Sequence, residues 1–231
     1  MSRLVGYVRA GSTAGRPLLV DVGAGTGIST RALRAAFGPE PEIVGVEPGV
    51  AMLAQARAAQ GAVEYREGTA ESIPVADGAA SLVLAAQAVQ WFDRPSFYRE
   101  AVRALRPGGA LALLQNDRDW SASAVLAGYE DLLERYGHGY SRHYRAFDFP
   151  GELARVDGLG EPDDSGTAWT WTLTRAQFLG LAMSSSKTHA VVRELGAERL
   201  TAEVYALLDR HGVGDRVEVP YVTRLFLRRR L

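Results

Sequence analysis

Asp21-Val22-Gly23-Ala24-Gly25-Thr26-Gly27 joins an apolar run to a stretch of helical character, with glycine at every second position from 23 to 27. Glycine lets the backbone turn sharply and touch a ligand where any Cβ would collide. The spacing is G-x-G-x-G, because Ile28 stands where a nicotinamide-binding turn carries its third glycine. That turn seats a pyrophosphate on a helix N-terminus. The present spacing lacks that third glycine and suits a ligand without a pyrophosphate. Glu47 follows Gly27 by twenty residues, at the end of the second apolar run, where its carboxylate can accept hydrogen bonds from both ribose hydroxyls. A ligand-free βα turn and a solvated acid beside Pro48 and Gly49 are the plainer alternatives. The coincidence of strand, turn, helix and acid at this distance favours the ligand.

These residues need a scaffold of alternating strands and helices. Short apolar runs at Pro17–Val22, Glu42–Val46, Ala62–Arg66, Ser81–Ala85 and Ala110–Leu114 read as buried parallel strands. Helical stretches at Ile28–Phe37, Val50–Gln60 and Ser96–Leu105 end before Gly38-Pro39, Gly61 and Pro107-Gly108. A short helix at Ser2–Ala10 precedes them. After Leu114 a helix is expected over Ser121–Tyr136, then an irregular insertion, a strand at Ala168–Leu173, and a helix to Met183 that Thr174 and Gln177 open as a capping box. Helices at Thr188–Leu195 and Ala197–His211 and a closing strand at Val217–Leu227 complete the chain, Pro220 arguing for an edge or a bulge. The expectation is an α/β, Rossmann-like, doubly wound seven-stranded sheet, mostly parallel with an antiparallel C-terminal strand. It is read as one domain over 1–231, with a cofactor-binding half at 1–115, an insertion or lid at 116–166 and C-terminal strands and helices at 167–231.

Bulk properties narrow the function. Hydrophobic residues form 47% and charged residues 23% of 231, ordinary for a globular protein. A net charge of −1 gives no global pull toward nucleic acid or anionic membrane, so a small-molecule substrate is expected, with no nucleic-acid or membrane partner. The absence of cysteine excludes disulfides, thiolate metal sites and a cysteine nucleophile. The opening MSRLVGYVRAG lacks the apolar run of a signal peptide, and no 18 apolar residues run together, so a cytoplasmic protein is expected. Oligomeric state is not legible, and a homodimer stays a candidate. Ligands of such sheets sit beyond the carboxyl ends of the strands, which nominates Gln90, Trp91, Asn116, Trp120, Tyr136, His138, Tyr140, His143 and Tyr144 as substrate-facing. Trp91 reads equally well as core packing. His138 and His143 carry imidazoles suited to proton transfer near neutral pH, or are exposed loop side chains. With Asp148 they match no metal-ligand spacing, and no metal is expected. Arg228, Arg229 and Arg230 read as a solvated strand end.

From Leu18 to Leu114 the segments VDVGAGTG, GVEPGVAML, EGTAESIPVADGAASLVLAAQAVQWFD and FYREAVRALRPGGALAL resemble the class I S-adenosylmethionine-dependent methyltransferases, within them the trans-aconitate methyltransferase-like branch. The resemblance implies S-adenosylmethionine as cofactor. It implies that Asp21 orients the loop and meets the methionine amino group, that Gly23, Ala24, Gly25 and Gly27 give backbone access, and that Glu47 holds the ribose. Pro48 and Met52 would pack near the adenine, with Thr69, Ala70 and Glu71 in the adenine-side segment and Gln87 under the methionine. Thr69 departs from an acidic residue common there, leaving the Ala70 N–H as the cleaner contact. Gln90 stands where the branch commonly has histidine, so the catalytic candidates are Gln90, His138 and His143. Ser184, Ser185 and Ser186 resemble a serine segment at the pocket wall, or form a plain turn. Only 17 residues precede Leu18, fewer than in relatives, so the insertion supplies the lid or the site is open. The implied activity is methyl transfer to a small molecule, on oxygen first, then nitrogen or carbon. A binding protein that does not methylate is the alternative, and a nicotinamide oxidoreductase is disfavoured by the glycine spacing.

Overall fold

The computed structural model describes residues 1–11, 15–59 and 61–231, apart from the side chain of Ser186; Gln60, the expected last residue of the third helix, lies outside them. The elements run α1 (Ser2–Ala10), β1 (Leu18–Val22), α2 (Ile28–Phe37), β2 (Glu42–Glu47), α3 (Val50–Ala58), β3 (Glu64–Glu67), β4 (Ala80–Ala86), α4 (Arg94–Ala104), β5 (Leu105–Arg118), α5 (Ala124–Tyr136), α6 (Phe149–Leu153), β6 (Ser165–Thr174), α7 (Arg175–Met183), α8 (Ser186–Leu195), α9 (Ala197–Arg210) and β7 (Arg216–Arg229). The seven strands form one sheet in the order β3-β2-β1-β4-β5-β7-β6. The pairs β1–β2, β1–β4, β2–β3 and β4–β5 are parallel, and the C-terminal strands turn antiparallel. This is the doubly wound, Rossmann-like arrangement that the sequence leads one to expect.

The chain divides into two compact units, one of 1–115, 148–165 and 224–231, the other of 116–147 and 166–223. In the first, alternate strand residues separate two faces of the sheet. Leu19, Ile43, Leu82, Leu84, Ala110 and Ala112 share a buried cluster with Leu4 and Val8 of α1 and Leu33 and Phe37 of α2. Val20, Val44, Val83 and Leu111, each offset by one, are also fully buried. Both faces are therefore covered, which explains why these strands are apolar throughout rather than alternating. The second unit has its own core, in which Tyr129 of α5 meets Phe178 of α7 edge to face at 5.8 Å among Leu126, Leu133, Val191, Val204 and Leu207.

Three local readings are corrected. β5 starts at Leu105 rather than Ala110, because Arg106–Gly109 pair with the chain end: Gly108 N donates to Arg230 O and Arg230 N to Gly109 O, both at 2.9 Å. β7 lies between β5 and β6 in the sheet, so Pro220 is not on an edge strand; its carbonyl accepts from Asp119 N. The terminal arginines are internal ties rather than a solvated end. Arg228 is 2% exposed and paired with Asp164 at 2.5 Å, Arg229 donates to the carbonyls of Gly108 and Tyr7, and Arg230 donates to Leu105 O. Within the insertion a five-residue helix, α6, forms where Asp148 accepts from Gly151 N and Pro150 sits in the first turn. Among the described residues no helix is long and apolar enough to cross a membrane.

Candidate functional site

Asp21 is the penultimate residue of β1, fully buried, and held from one side only. Its Oδ2 accepts from Ser29 Oγ at 2.7 Å and Thr30 Oγ1 at 2.6 Å, both on the first turn of α2. Its Oδ1 has no partner among the described residues. Burial pushes the carboxyl pKa from 3.8 up to about 6, against the pull of the two hydroxyls. A buried carboxylate oxygen without a donor is costly unless something else meets it.

The glycine turn is tied across to β2, since Gly23 N and Ala24 N donate to Val46 O at 2.9 and 3.0 Å. Glu47, at the end of β2 and 7% exposed, completes the tie: Oε2 accepts from Gly25 N at 2.9 Å and Oε1 from Gly49 N at 2.8 Å. Each oxygen thus keeps one acceptor direction, enough for two adjacent hydroxyls. The three glycines do different jobs. A Cβ on Gly23 would lie 2.6 Å from Ala88 Cβ, and one on Gly27 would overlap the Tyr65 hydroxyl, so both serve packing. A Cβ on Gly25, where φ is +57°, would meet nothing nearer than Met52 Sδ at 3.9 Å. The open cradle is at Gly25.

Further apolar and polar groups gather just past the strand ends. Ile28, Val50, Met52 and Trp91, which follow β1, β2 and β4, are more than half exposed, and Pro48 is exposed as well. Trp91 is 77% exposed, which removes it from the core. Gln87 follows β4 with φ +58°, and among the described residues no other non-glycine has positive φ; such strain concentrates at functional positions. Gln90 Nε2 donates to the Gln87 carbonyl at 2.7 Å, while its buried Oε1 has no partner among the described residues. In the segment after β3 Thr69 bridges to Ser72, Ala70 is buried, and Glu71 Oε1 accepts from Asp93 N at 3.0 Å, just before α4.

The two histidines belong to the second unit. His138 is 86% exposed beside Glu194 at 3.4 Å, and His143, also exposed, meets the Trp120 ring edge-on at 5.7 Å. Asn116 Oδ1 accepts from Thr223 Oγ1 at 2.6 Å. Among the described residues no group of His, Cys, Asp and Glu could hold a metal ion.

Sequence reasoning missed Gln115, 3% exposed near the carboxyl end of β5, with neither amide atom partnered among the described residues. A lone amide closing the apolar run ALALL was the available signal. It also missed Ser29 and Thr30 as the holders of Asp21. Their hydroxyls open a helix, where they read as ordinary first-turn residues.

Residues 20–113 match the family described as a methyltransferase domain. An uncharacterized methyltransferase of Mycobacterium bovis is 41% identical over 102 residues, 44% of this chain and 40% of that protein. A malonyl-[acyl-carrier protein] O-methyltransferase of Hahella chejuensis is 38% identical over 134 residues, 56% of this chain and 44% of that protein. The chain spans about half the length of the curated relatives it matches. A solved structure from Anaeromyxobacter dehalogenans, described provisionally as a type II methyltransferase, superposes with a TM-score of 0.67 at 25% identity, covering 99% of this chain and 94% of that one. The glycine turn and Glu47 both lie within residues 20–113, the segment similar to the methyltransferase domain.

Proposed function

We propose that the chain transfers the methyl group of S-adenosylmethionine to a small-molecule acceptor, oxygen being the favoured atom. The observation that carries this is the pairing of an open glycine position with a buried, half-satisfied carboxylate pair, Asp21 and Glu47. The residues fit the cofactor: Gly25 leaves room for the nucleoside, Glu47 has acceptor capacity for the ribose, and Asp21 Oδ1 can accept from the methionine ammonium. Met52 and Pro48 offer apolar surface for the adenine beside the Ala70 N–H. When bound, the cofactor supplies an electrophilic methyl on a sulfonium, which an acceptor displaces in line. The protein's part is alignment, worth several kcal/mol when the reacting atoms are held at about 3–3.5 Å. In this reading the strained Gln87, the unpartnered Oε1 of Gln90 and the unpartnered amide of Gln115 orient the methionine end and the acceptor. His138 and His143 are the imidazoles proposed for proton removal from a hydroxyl acceptor; a carboxylate acceptor needs none. The O-methyltransferase name of the Hahella relative supports oxygen as the acceptor atom.

Calorimetric titration with S-adenosylhomocysteine tests the cofactor half. Binding lost in Glu47→Ala but kept in His138→Ala is expected, and absence of binding to the wild-type chain would overturn the proposal. Formation of S-adenosylhomocysteine with acceptor panels tests the transfer.

A further inference from the structure

Besides Asp21 Oδ1, the first unit buries three side-chain atoms that have no partner among the described residues: Gln90 Oε1 and both amide atoms of Gln115. Gln115 is 3% exposed and shares its face of β5 with Leu111 and Leu113, both fully buried. A run of contacts within the same unit leads from there to the glycine turn. Leu114 O accepts from Gln87 N at 2.9 Å, and Gln87 O accepts from Gln90 Nε2 at 2.7 Å. Ala88 and Phe92, on either side of Gln90 in the chain, come nearest to the space that a Cβ on Gly23 would take.

Hydrogen-bond chemistry decides what can meet these atoms. The Gln87 carbonyl only accepts, so its partner must be the Gln90 nitrogen, and Gln90 Oε1 is the end left over. That oxygen can be met only by a donor. Gln115 adds one carbonyl acceptor and two N–H donors. A hydroxyl matches this set, since it donates one hydrogen and offers two lone pairs. A carboxylate does not: it has no hydrogen for Gln90 Oε1, and the two amides bring no charge to offset its desolvation. Packing gives no reason for Gln115, because an unmet buried amide costs stability, whereas an apolar side chain of similar shape is neutral or better. The amide closing the apolar run ALALL therefore serves something other than the fold.

We propose that Gln90 Oε1 and the Gln115 amide form the acceptor subsite of the first unit and select an uncharged hydroxyl over a carboxylate. The assignment rests on the methyl-transfer reading and names its substrate class. The test uses the full chain in two arms. In the first, Gln115→Met is compared with wild type by urea denaturation and by calorimetric titration with S-adenosylhomocysteine. The variant should unfold at a urea concentration no lower than wild type and bind S-adenosylhomocysteine within twofold of it. In the second, formation of S-adenosylhomocysteine from S-adenosylmethionine is followed with matched pairs, phenol against benzoate and octanol against octanoate. Turnover is expected with hydroxyl members alone, and Gln115→Met should lower their kcat/KM at least tenfold. A lower urea midpoint would make the amide part of the fold, and S-adenosylhomocysteine bound tenfold more weakly would give it to the cofactor; either would overturn the proposal. So would a carboxylate methylated as fast as its hydroxyl partner, or no turnover with any pair in a chain that binds S-adenosylhomocysteine. Failure of the wild type to bind S-adenosylhomocysteine would instead sink the methyl-transfer reading itself.

Discussion

Replacing Asp21 by Asn separates what this carboxylate costs the fold from what it does for a ligand. Asp21 is fully buried, and its pKa stands at about 6 against an ordinary 3.8. The folded protein therefore holds this proton more tightly than the unfolded chain. The group is neutral in both states only well below its unfolded value of 3.8. As pH rises toward 6 the unfolded chain loses the proton first and gains relative stability, so the folded state loses about 3 kcal/mol across that window and stays at the lower level above it. Asn has no such titration and keeps an oxygen for the Ser29 and Thr30 hydroxyls. Urea denaturation of both chains between pH 3 and 7.5 gives the stability difference directly. That difference is expected to move by about 3 kcal/mol in favour of Asn as pH rises, the unpartnered Asn amide lowering the whole curve without tilting it. In the same variant S-adenosylhomocysteine should bind at least a hundredfold more weakly at pH 7.5, because its ammonium has lost a buried counter-charge. Wild-type affinity should itself fall below about pH 6, roughly tenfold per unit once Asp21 is protonated. A stability difference flat with pH, or cofactor affinity unchanged in Asn, would refute the account of Asp21.

Other substitutions test neighbouring parts of the argument. Gly25→Val should fold with a loss of about 1–2 kcal/mol from its left-handed backbone and abolish S-adenosylhomocysteine binding; Gly23→Ala, whose Cβ meets Ala88 and Phe92, should lose stability by about 1–3 kcal/mol through overpacking, both read by denaturation and calorimetry. Gln87→Gly should leave stability within about 0.5 kcal/mol, strain relief being offset by chain entropy, yet slow single-turnover transfer. Asp164→Ala strands the buried Arg228 and should cost about 3 kcal/mol, measured by urea midpoint. For an acidic acceptor, His138→Ala and His143→Ala should each keep the single-turnover rate within twofold; a drop beyond tenfold in either would make that histidine the base.

Much of this protein is written in local chemistry. The apolar runs that become β1, β2 and β4, the glycines that close α2 and α8, and the Thr174 capping box each depend on residues within a few positions, and patterns of that range are legible along a chain. So is the pairing of the glycine turn with Glu47, since a βαβ unit of set length brings a second strand's end beside the first turn. Tertiary structure decided the rest, because it depends on residues far apart meeting. Arg106–Gly109 became strand only when the C-terminal segment paired with them, and Arg228 became a buried tie only when Asp164 met it. The glycines at 23 and 27 proved to be packing residues through Ala88 and Tyr65, leaving Gly25 as the open one. The contacts that join Arg118, Glu130, Tyr140 and Lys187 draw on β5, α5, the segment after it and α8, and no spacing rule connects them.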